Sequence, residues 1–326
     1  MIIVANKNGE ELRRLKFTDY DYEVGETENT FLINIDRGEY EEIPKGARLY
    51  IPGTEFGGLF RKLDTNTEQG TISPGGLTWR GMMQKKLIYP PAGQDYAKAT
   101  GEINFIIQSY VESAFPGMFI GSAEDTGVRV KNYQFDRYCS IEEGLRKMLK
   151  SVGHRLRIEY SQEDKAVKVD AVPIVDYSAD VEFSSDLNLN YTMHMQGDGV
   201  NHLVCLGKGE LKDRVVYHLY VDAQGNIGTT QYFTGADEVT EVYDYAGAEL
   251  PDLIQSGKKR LNELMNQDTF GITVSPTIEV AVGDIVGGRD YLSGMTMKAP
   301  VIGKIARWQD GFQSIEYKLK NDVTAS

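Results

Sequence analysis

The sequence has few of the residues that build reactive or metal-binding sites. Its 326 residues include two cysteines, Cys139 and Cys205, and four histidines. Two cysteines so far apart predict neither a disulfide framework nor a cysteine-based metal site, so synthesis in a reducing cytoplasm is expected. The longest apolar runs are a few residues, far below the ~20 that cross a bilayer, and no membrane partner is expected. Met1–Val4 runs into a turn-like segment, Asn6–Gly9, and is not expected to act as a signal peptide.

Positive charge is also scarce, with 35 basic against 48 acidic residues and a net charge of −13. Tight binding to duplex DNA depends largely on neutralising phosphates, so the chain is not expected to wrap DNA tightly. The acidity would instead suit a surface that nucleic acid passes without sticking. The 34 glycines and 19 tyrosines favour strands and tight turns over a helix bundle.

The stretch Thr71–Gly93 is predicted to be the one around which the chain is organised. It opens as a strand at Thr71-Ile72, is expected to break at Pro74–Gly76, and ends at Pro90–Gly93. The sequence pattern predicts short antiparallel strands before this stretch and helices after it. It contains no Cys, His or Asp, which indicates an architectural exit from one folded unit into the next rather than an active site.

The segment that follows changes from strands to helices. Apolar residues from Ile103 to Ala114 recur at helical spacing, with Thr100 as the expected N-cap. A second helix is predicted to begin with a capping box at Ser140–Glu143, in which the hydroxyl and the carboxylate each bond a free N–H. Alternating apolar residues over 156–171 then predict a hairpin.

The last part of the chain returns to strands, with one helix at about 250–265. Gly257 inside that helix indicates either close packing or a tolerated surface glycine. The predicted fold class is α+β, mostly β, with two small antiparallel β-barrel-like domains and an inserted α+β domain. The first barrel is assigned to residues 1–93, completed by strands from 184–206. The insertion is assigned to 94–183, and the second barrel-type domain to 184–326.

The histidines and the carboxylates are the residues with the most potential for chemistry. His194, His202 and His218 could meet on neighbouring strands and bind a metal, but isolated strand histidines are usually polar side chains on a half-exposed face. Two acidic sets could be read as acid/base pairs, although carboxylates two apart on a strand usually form a solvated face. These sets are Asp19, Asp21 and Glu23, and Glu238, Glu241 and Asp244.

Three weaker patterns are also interpreted as structural. Gly207–Gly209 faintly resembles a phosphate loop, but flanking strands favour a hairpin turn. Asp222–Asn226 lacks the acidic spacing of a calcium loop. Some aromatics could stack on sugars, although strand aromatics are more often core residues or cross-strand pairs. They are Tyr89, Tyr96, Tyr232, Phe233 and Trp308. The sequence therefore predicts no catalytic, cofactor-binding or metal-binding residue and no enzyme.

Four parts of the chain follow one another in the order Phe17–Ile35, Ile72–Pro91, Ile141–Val172, and Leu250–Asp284 with Val301–Leu319. This order resembles the bacteriophage tail hub family, which includes baseplate hubs of contractile tails and the N-terminal part of siphophage tail-associated lysins. Phe17–Ile35 is similar to its opening strands, and Ile72–Pro91 to its glycine turn with a basic-Ile-Tyr-Pro exit. Ile141–Val172 is similar to its helix and hairpin. Leu250–Asp284 and Val301–Leu319 resemble its late helix, Val-Gly-Asp-Ile-Val strand and final hairpin.

This resemblance implies a homotrimer in which three chains with two barrels each form a pseudo-sixfold ring. The ring would join the tail tube to the tip, with the α+β part on its outside. The implied partners are the tail tube or distal tail protein, the tape measure protein, and a tip spike or fibre protein, with DNA only in transit. The implied location is the virion tail, after synthesis in the host cytoplasm.

Two alternatives stay open at the level of sequence, namely a peptidoglycan hydrolase and a glycan-binding adhesion module of the tail. Many relatives carry a C-terminal peptidase or lysozyme-like part, whereas this sequence ends at Ser326, soon after the last predicted hairpin. Any such activity is therefore expected from another polypeptide.

Overall fold

The computed structural model describes residues 1–15, 18–68, 70–178, 182–183, 190–194, 199–265, 269–274, 280–289, 296–309 and 311–319. Within these, the chain divides into two compact units. The first comprises residues 1–191 and 272–319, and the second comprises residues 192–271.

The first 194 residues hold most of the helices and strands. In order they are β1 (Ile2–Ala5), β2 (Glu11–Leu15), β3 (Asp19–Gly25), β4 (Thr30–Asp36), β5 (Arg48–Tyr50), β6 (Gly57–Leu59), β7 (Lys62–Asn66), β8 (Thr71–Leu77), α1 (Trp79–Gln84), β9 (Lys98–Glu102), α2 (Ile103–Ala114), β10 (Phe119–Gly121), β11 (Arg129–Gln134), α3 (Ile141–Lys150), β12 (His154–Ser161), β13 (Ala166–Pro173), β14 (Glu182–Phe183) and β15 (Asn190–His194).

The later elements begin with those of the second unit. They are β16 (His202–Leu206), β17 (Val216–Val221), β18 (Ile227–Gly228), β19 (Thr240–Asp244) and α4 (Leu250–Leu264). Strand β20 (Thr269–Val274) includes the last residues of the second unit and the first residues of the returning first unit. The chain closes with β21 (Ile285–Arg289), β22 (Thr296–Gln309) and β23 (Phe312–Leu319). Of the helices in these described ranges, none is both long and apolar enough to span a membrane.

Strand β1 lies between two hydrophobic cores of the first unit. Ile2 and Val4 belong to a core shared with β3, β4 and β5, whereas Ile3 and Ala5 belong to a core shared with α1, α2, α3 and the β12–β13 hairpin. Alternate side chains of a strand point to opposite faces, so an unbroken apolar run is suited to a strand buried on both sides.

The closing hairpin joins the sheet built by the first strands. Strand β22 pairs antiparallel with β3, with Ala306 opposite Tyr22, and also pairs with β23. Within the first unit, the ladder runs β23-β22-β3-β4-β8-β7. Val301–Leu319 is assigned from the sequence to the second predicted domain, and that assignment stays a prediction. The pairing of β22 with β3 could not be predicted, because local periodicity carries no information about hydrogen bonding between distant strands.

The mostly β, α+β class is confirmed, whereas the two barrel-like domains remain predictions. Among the described strands, no ladder of hydrogen bonds closes into a barrel. The sheets are a four-stranded one in the order β2-β1-β5-β6, the larger one above, a three-stranded β10-β13-β12 sheet, the β11-β9 pair and a four-stranded β18-β17-β16-β19 sheet.

Strand β8 corrects the expected break at Pro74–Gly76. The strand runs through these residues, and Pro74 lies opposite Leu63 of β7. On the other side, pairing with β4 is interrupted between Gly75 and Ile72. Proline removes one ladder donor, and the strand tolerates this loss by leaving the pairing open there instead of ending.

Helices α2 and α3 occur where periodicity predicts them, but their caps differ from expectation. The N-cap of α2 is Glu102, whose carboxylate accepts the Phe105 N–H at 2.9 Å. Thr100 lies in β9, and its hydroxyl accepts the Asn132 N–H at 2.8 Å. A carboxylate two residues later thus takes the role predicted for Thr100, because β9 continues to the helix start.

The capping box of α3 is half formed. The Ser140 hydroxyl accepts the Glu143 N–H at 3.1 Å, as predicted. The Glu143 carboxylate instead accepts the Lys147 ammonium at 2.6 Å, one turn along the helix. Gly153 then ends the helical segment with a φ of +71°, and the predicted β12–β13 hairpin follows.

The second unit packs α4 on one face of the sheet formed by β16–β19. Leu253, Leu261 and Leu264 are buried against Leu203 and other residues of this sheet. A Cβ on Gly257 would lie 2.5 Å from the Cys205 sulfur and 3.0 Å from Leu219 Cδ1. Close packing, one of the two interpretations offered for Gly257, therefore explains why this position requires a glycine.

Candidate functional site

The organising stretch forms β8 and α1, and its buried aromatic residue connects several elements. The Thr78 hydroxyl caps α1 by accepting the Gly81 N–H at 3.3 Å. The next side chain, Trp79, is completely buried. Its ring stacks at 5.6 Å on Tyr160 of β12, and the Tyr160 ring lies 4.0 Å from that of Tyr50 in β5. This contact joins α1 to two sheets, the β2-β1-β5-β6 sheet and the β10-β13-β12 sheet. It supports the architectural role predicted for the stretch.

A row of alternating charges, called here the ion-pair network, runs beside this aromatic contact. Its members are Lys304, Glu55, Arg80, Glu142, Arg146 and Glu26. In that order the successive nitrogen–oxygen distances are 3.8, 3.2, 3.1, 3.3 and 3.0 Å. The network brings together β22, the loop after β5, α1, α3 and the end of β3.

The centre of the network is sealed from solvent. The side chain of Arg80 is 3% exposed and that of Glu142 is 1% exposed. Desolvation alone would lower the pKa of Arg80, but the charges of Glu55 and Glu142 raise it above its ordinary value. A buried charge is strongly destabilising once its partner is removed. The packing of α1 against α3 therefore depends on each buried charge keeping a partner of opposite sign.

The sequence missed this network entirely. Arg80 and Glu142 are separated by 62 residues, and each lies in a helix whose other inward residues are apolar. From the sequence, Glu142 is only a member of the predicted capping-box segment Ser140–Glu143. The one available signal was a charge at an inward helical position in each case, which does not identify the partner.

Four of the six acidic side chains considered for catalysis pair with an Arg or Lys side chain. Asp21 accepts from Arg307 at 2.8 Å, and Glu23 pairs with Lys318. In the second unit, Glu241 accepts from Arg260 at 3.3 Å, and Asp244 pairs with Arg214. These pairs match the solvated-face interpretation. Glu238 contacts a histidine, and Asp19 lies beside an open, polar depression with Asn34 and Asp64.

Two of the three strand histidines do come together. The His202 Nε2 lies 2.8 Å from His218 Nδ1, and the His202 Nδ1 lies 2.7 Å from a Glu238 oxygen. The Tyr220 ring stacks on His202 with centroids 4.3 Å apart. The side chain of His194 lies outside the described residues. Within the described ranges, no three His, Cys, Asp or Glu side chains are arranged to hold a metal ion.

The other candidate motifs are turns or packing features. Gly207–Gly209 follows β16 in an antiparallel connection to β17, as predicted. The Asp222 carboxylate accepts the N–H groups of Gln224 and Asn226 at 2.9 and 2.8 Å, which is a local turn. Trp308 packs against the core that contains Tyr22.

The aromatics considered for sugar stacking differ in exposure. Tyr89 is 67% exposed and meets Tyr138 edge-on with ring centroids 6.1 Å apart. Tyr232 is also exposed and meets the neighbouring Phe233 edge-on. Tyr96 is exposed as well.

Comparison with known proteins finds the same fold in tail proteins. A tail protein of Neisseria meningitidis MC58 superimposes with a TM-score of 0.52 and 15% identity, over 98% of this chain and 96% of that one. The 43 kDa tail protein of prophage MuSo2 from Shewanella oneidensis superimposes with a TM-score of 0.57 and 12% identity, over 98% of both chains. No family model and no curated protein matches the sequence. The chain therefore has the fold of tail proteins, which confirms the resemblance to the phage tail hub family at the level of the fold.

Proposed function

We propose that this chain is a structural hub of a phage, prophage or phage-derived tail. Three copies would form a pseudo-sixfold ring that joins the tail tube to the tip. The observation that carries this proposal is the agreement in fold over nearly the whole length of two tail proteins. Because the superpositions cover 98% of this chain, they include both compact units. They therefore support a shared architecture of the whole chain and not the sharing of a single domain.

The remaining parts of the proposal follow from the hub family. Residues 1–93 and 184–326 would supply two tube-type barrel domains, and 94–183 would be an insertion on the outside of the ring. The neighbours would be the tail tube or distal tail protein, the tape measure protein and a tip spike or fibre. DNA would pass through the ring, and the net charge of −13 would keep phosphates from binding to its wall.

Exposed apolar side chains support an assembly role. Phe312 at the β22–β23 turn is 79% exposed and Leu211 is 94% exposed. Large apolar side chains left in solvent gain free energy when another protein covers them, and aromatic residues are prominent among those that dominate interface energies. An interface that holds a permanent ring together is expected to bury more than about 2,000 Å².

Native mass spectrometry of the chain, alone and co-produced with the tail tube protein of the same phage, tests this function. The expected species has three times the mass of the 36.5 kDa chain, and electron microscopy should show it as a ring. A chain that stays monomeric in both preparations, and does not bind the tube protein, would contradict the proposal.

A matched pair of variants sharpens this test. Phe312→Glu is expected to reduce the trimer fraction at least several-fold, because it replaces an exposed aromatic side chain with a charge. Gln313→Glu adds the same charge at the next, also exposed, position without removing apolar surface, and should assemble like the original chain. Equal assembly of both variants would exclude the β22–β23 turn from the interface.

A further inference from the structure

A cleft in the first unit is lined by more cations than carboxylates. Its volume is about 310 Å³. Four cations, Arg80, Arg155, Arg157 and Lys304, line it together with two carboxylates, Glu55 and Glu159. In a chain with a net charge of −13, a cavity with this excess of positive charge runs against the overall trend.

Lys304 is a buried cation with unused hydrogen-bonding capacity. The residue is 4% exposed, and its ammonium lies near the rings of Phe56 and Tyr317, at 5.3 and 5.9 Å from their centroids. The Glu55 carboxylate is 3.8 Å away, which is within ion-pair range but too far for a hydrogen bond. In the described ranges no residue hydrogen-bonds to this ammonium, which has three N–H donors.

Arg155 is held through one nitrogen of its guanidinium, the Nε. Its Nε donates to Asp284 at 2.6 Å, and Asp284 is itself buried and accepts the N–H groups of Val175 and Ala281 at 2.9 and 3.0 Å. Gly283 has a φ of +102°, and a Cβ there would lie 2.9 Å from the Arg155 Cβ. The turn before β21 therefore fixes the position of Arg155. The two terminal amino groups of Arg155 form no hydrogen bond within the described part of the chain.

The other two cations of the cleft are already committed. Arg80 donates to Glu55 and Glu142, and Arg157 binds both oxygens of Asp170. The buried Arg80 Nε also has no hydrogen-bond partner among the described residues, but most of the unused donors of the cleft belong to Lys304 and Arg155. An ammonium and the free edge of a guanidinium together suit the two oxygens of a carboxylate.

We propose that this cleft binds one carboxylate group through Lys304 and Arg155. The two lining carboxylates, Glu55 and Glu159, oppose a second negative charge, so a singly charged carboxylate is favoured over phosphate. The same chemistry is offered by a free carboxylic acid and by an acidic side chain of a neighbouring polypeptide.

Thermal unfolding of the full chain in acetate tests the proposal. Acetate replaces chloride at constant ionic strength, so that general salt screening does not change. The unfolding midpoint is expected to rise with acetate concentration, because a ligand that binds only the folded state stabilises it. Phosphate at the same ionic strength should produce a smaller rise. A midpoint that does not respond to acetate would overturn the proposal.

Variants assign the effect to the cleft. Lys304→Met keeps most of the aliphatic stem but removes the ammonium, and should abolish the acetate-dependent rise. Lys298→Met on the same strand removes an exposed lysine that pairs with Asp176, and should retain the rise. Arg155→Lys keeps a charge beside Asp284 but loses the guanidinium edge, and should reduce the rise. It also provides a second test in case Lys304→Met does not fold. An unchanged response in Lys304→Met or Arg155→Lys would contradict the assignment.

The same measurement separates the two sources of the carboxylate. A rise in both monomeric and assembled fractions would identify a free acid as the ligand. A rise confined to the monomeric fraction would indicate that a neighbouring chain fills the cleft on assembly. The response of the monomeric fraction does not depend on assembly, so failure of this proposal would leave the proposed hub function untouched.

Discussion

The two compact units hold helices in place by different chemistry. In the first unit, α1 and α3 meet through Arg80 and Glu142, two charges almost completely buried. In the second unit, α4 approaches its sheet through Gly257, which leaves no room for a Cβ beside Cys205. The ion pair from α4 to this sheet, Arg260 with Glu241, is about 40% exposed at both ends.

This difference teaches which kind of change each unit should resist. A buried ion pair contributes little net stability compared with apolar residues of the same size, but loss of one partner leaves a charge uncompensated. A close helix–sheet contact is instead sensitive to added volume, because protein interiors are densely packed. We therefore expect the first unit to be sensitive to charge and the second to size.

The largest effect is expected from Glu142→Met, a replacement of similar length that leaves Arg80 with one carboxylate partner, Glu55. Removal of one partner from a buried ion pair costs about 3–5 kcal/mol of unfolding free energy. Chemical denaturation measures this cost. Glu23→Met removes a carboxylate from a less buried pair with Lys318, and should cost less than about 1 kcal/mol.

A double-mutant cycle distinguishes lost pairing from lost shape. Replacing both Arg80 and Glu142 by Met leaves two complete pairs, Lys304 with Glu55 and Arg146 with Glu26. The double variant should therefore be more stable than Glu142→Met alone. If the two single costs simply add, charge matching does not explain the sensitivity, and the proposed contrast between the units fails.

A smaller effect is expected from Gly257→Ala in the second unit. The new Cβ would lie 2.5 Å from the Cys205 sulfur, so the helix or the sheet must move. Overpacking of this kind costs about 1–3 kcal/mol, partly offset by about 1 kcal/mol from the better helix propensity of alanine. Denaturation gives the free energy, and faster labelling of the buried Cys205 thiol would report local loosening.

Gly247→Ala is the matched control for this change. A Cβ at Gly247 meets no atom within 4 Å, so the same methyl group is added to open space. The control should unfold like the original protein. If Gly257→Ala were equally neutral, α4 would have room to move and the second unit would not be sensitive to size.

Local periodicity predicted much of the fold and nothing of the buried network. Helix α3 and the β12–β13 hairpin follow from apolar spacing and turn residues that lie close together in the chain. By contrast, the β22–β3 pairing joins residues nearly 300 positions apart. No local pattern identifies such a partner, and the same holds for Arg80 with Glu142.

The local errors have a common cause as well. Thr100 has good N-cap chemistry, but its strand continues to Glu102, whose carboxylate then caps α2. Pro74 lacks a ladder donor, but β8 tolerates a gap in its pairing with β4. In both cases the neighbouring strands override the local preference of one residue. The order of segments predicted the tail-protein fold better than any single motif did.

The smallest effect is expected from Asp176→Asn, an exposed charge in the same unit as the buried network. Hydrogen bonds from Lys298 and Ser178 lower the pKa of Asp176 from 3.8 to about 2. A lowered pKa means that the ionised group stabilises the fold above its ordinary pKa, and that this stabilisation is lost as the pH falls from about 3.8 to about 2. Because the side chain is 44% exposed, solvent screening should keep its contribution below about 1 kcal/mol.

Urea denaturation of Asp176→Asn and the original protein across this pH range measures the difference. The variant should be slightly less stable at neutral pH and equally stable at the acidic end. Lys298→Gln removes the largest cause of the lowered pKa, and should weaken the pH dependence in the same direction. If Asp176→Asn lowered the free energy of unfolding as much as Glu142→Met does, burial would not explain why one carboxylate is more important than the other. A small cost would make burial, and not the unit in which a charge lies, the property that sets its importance.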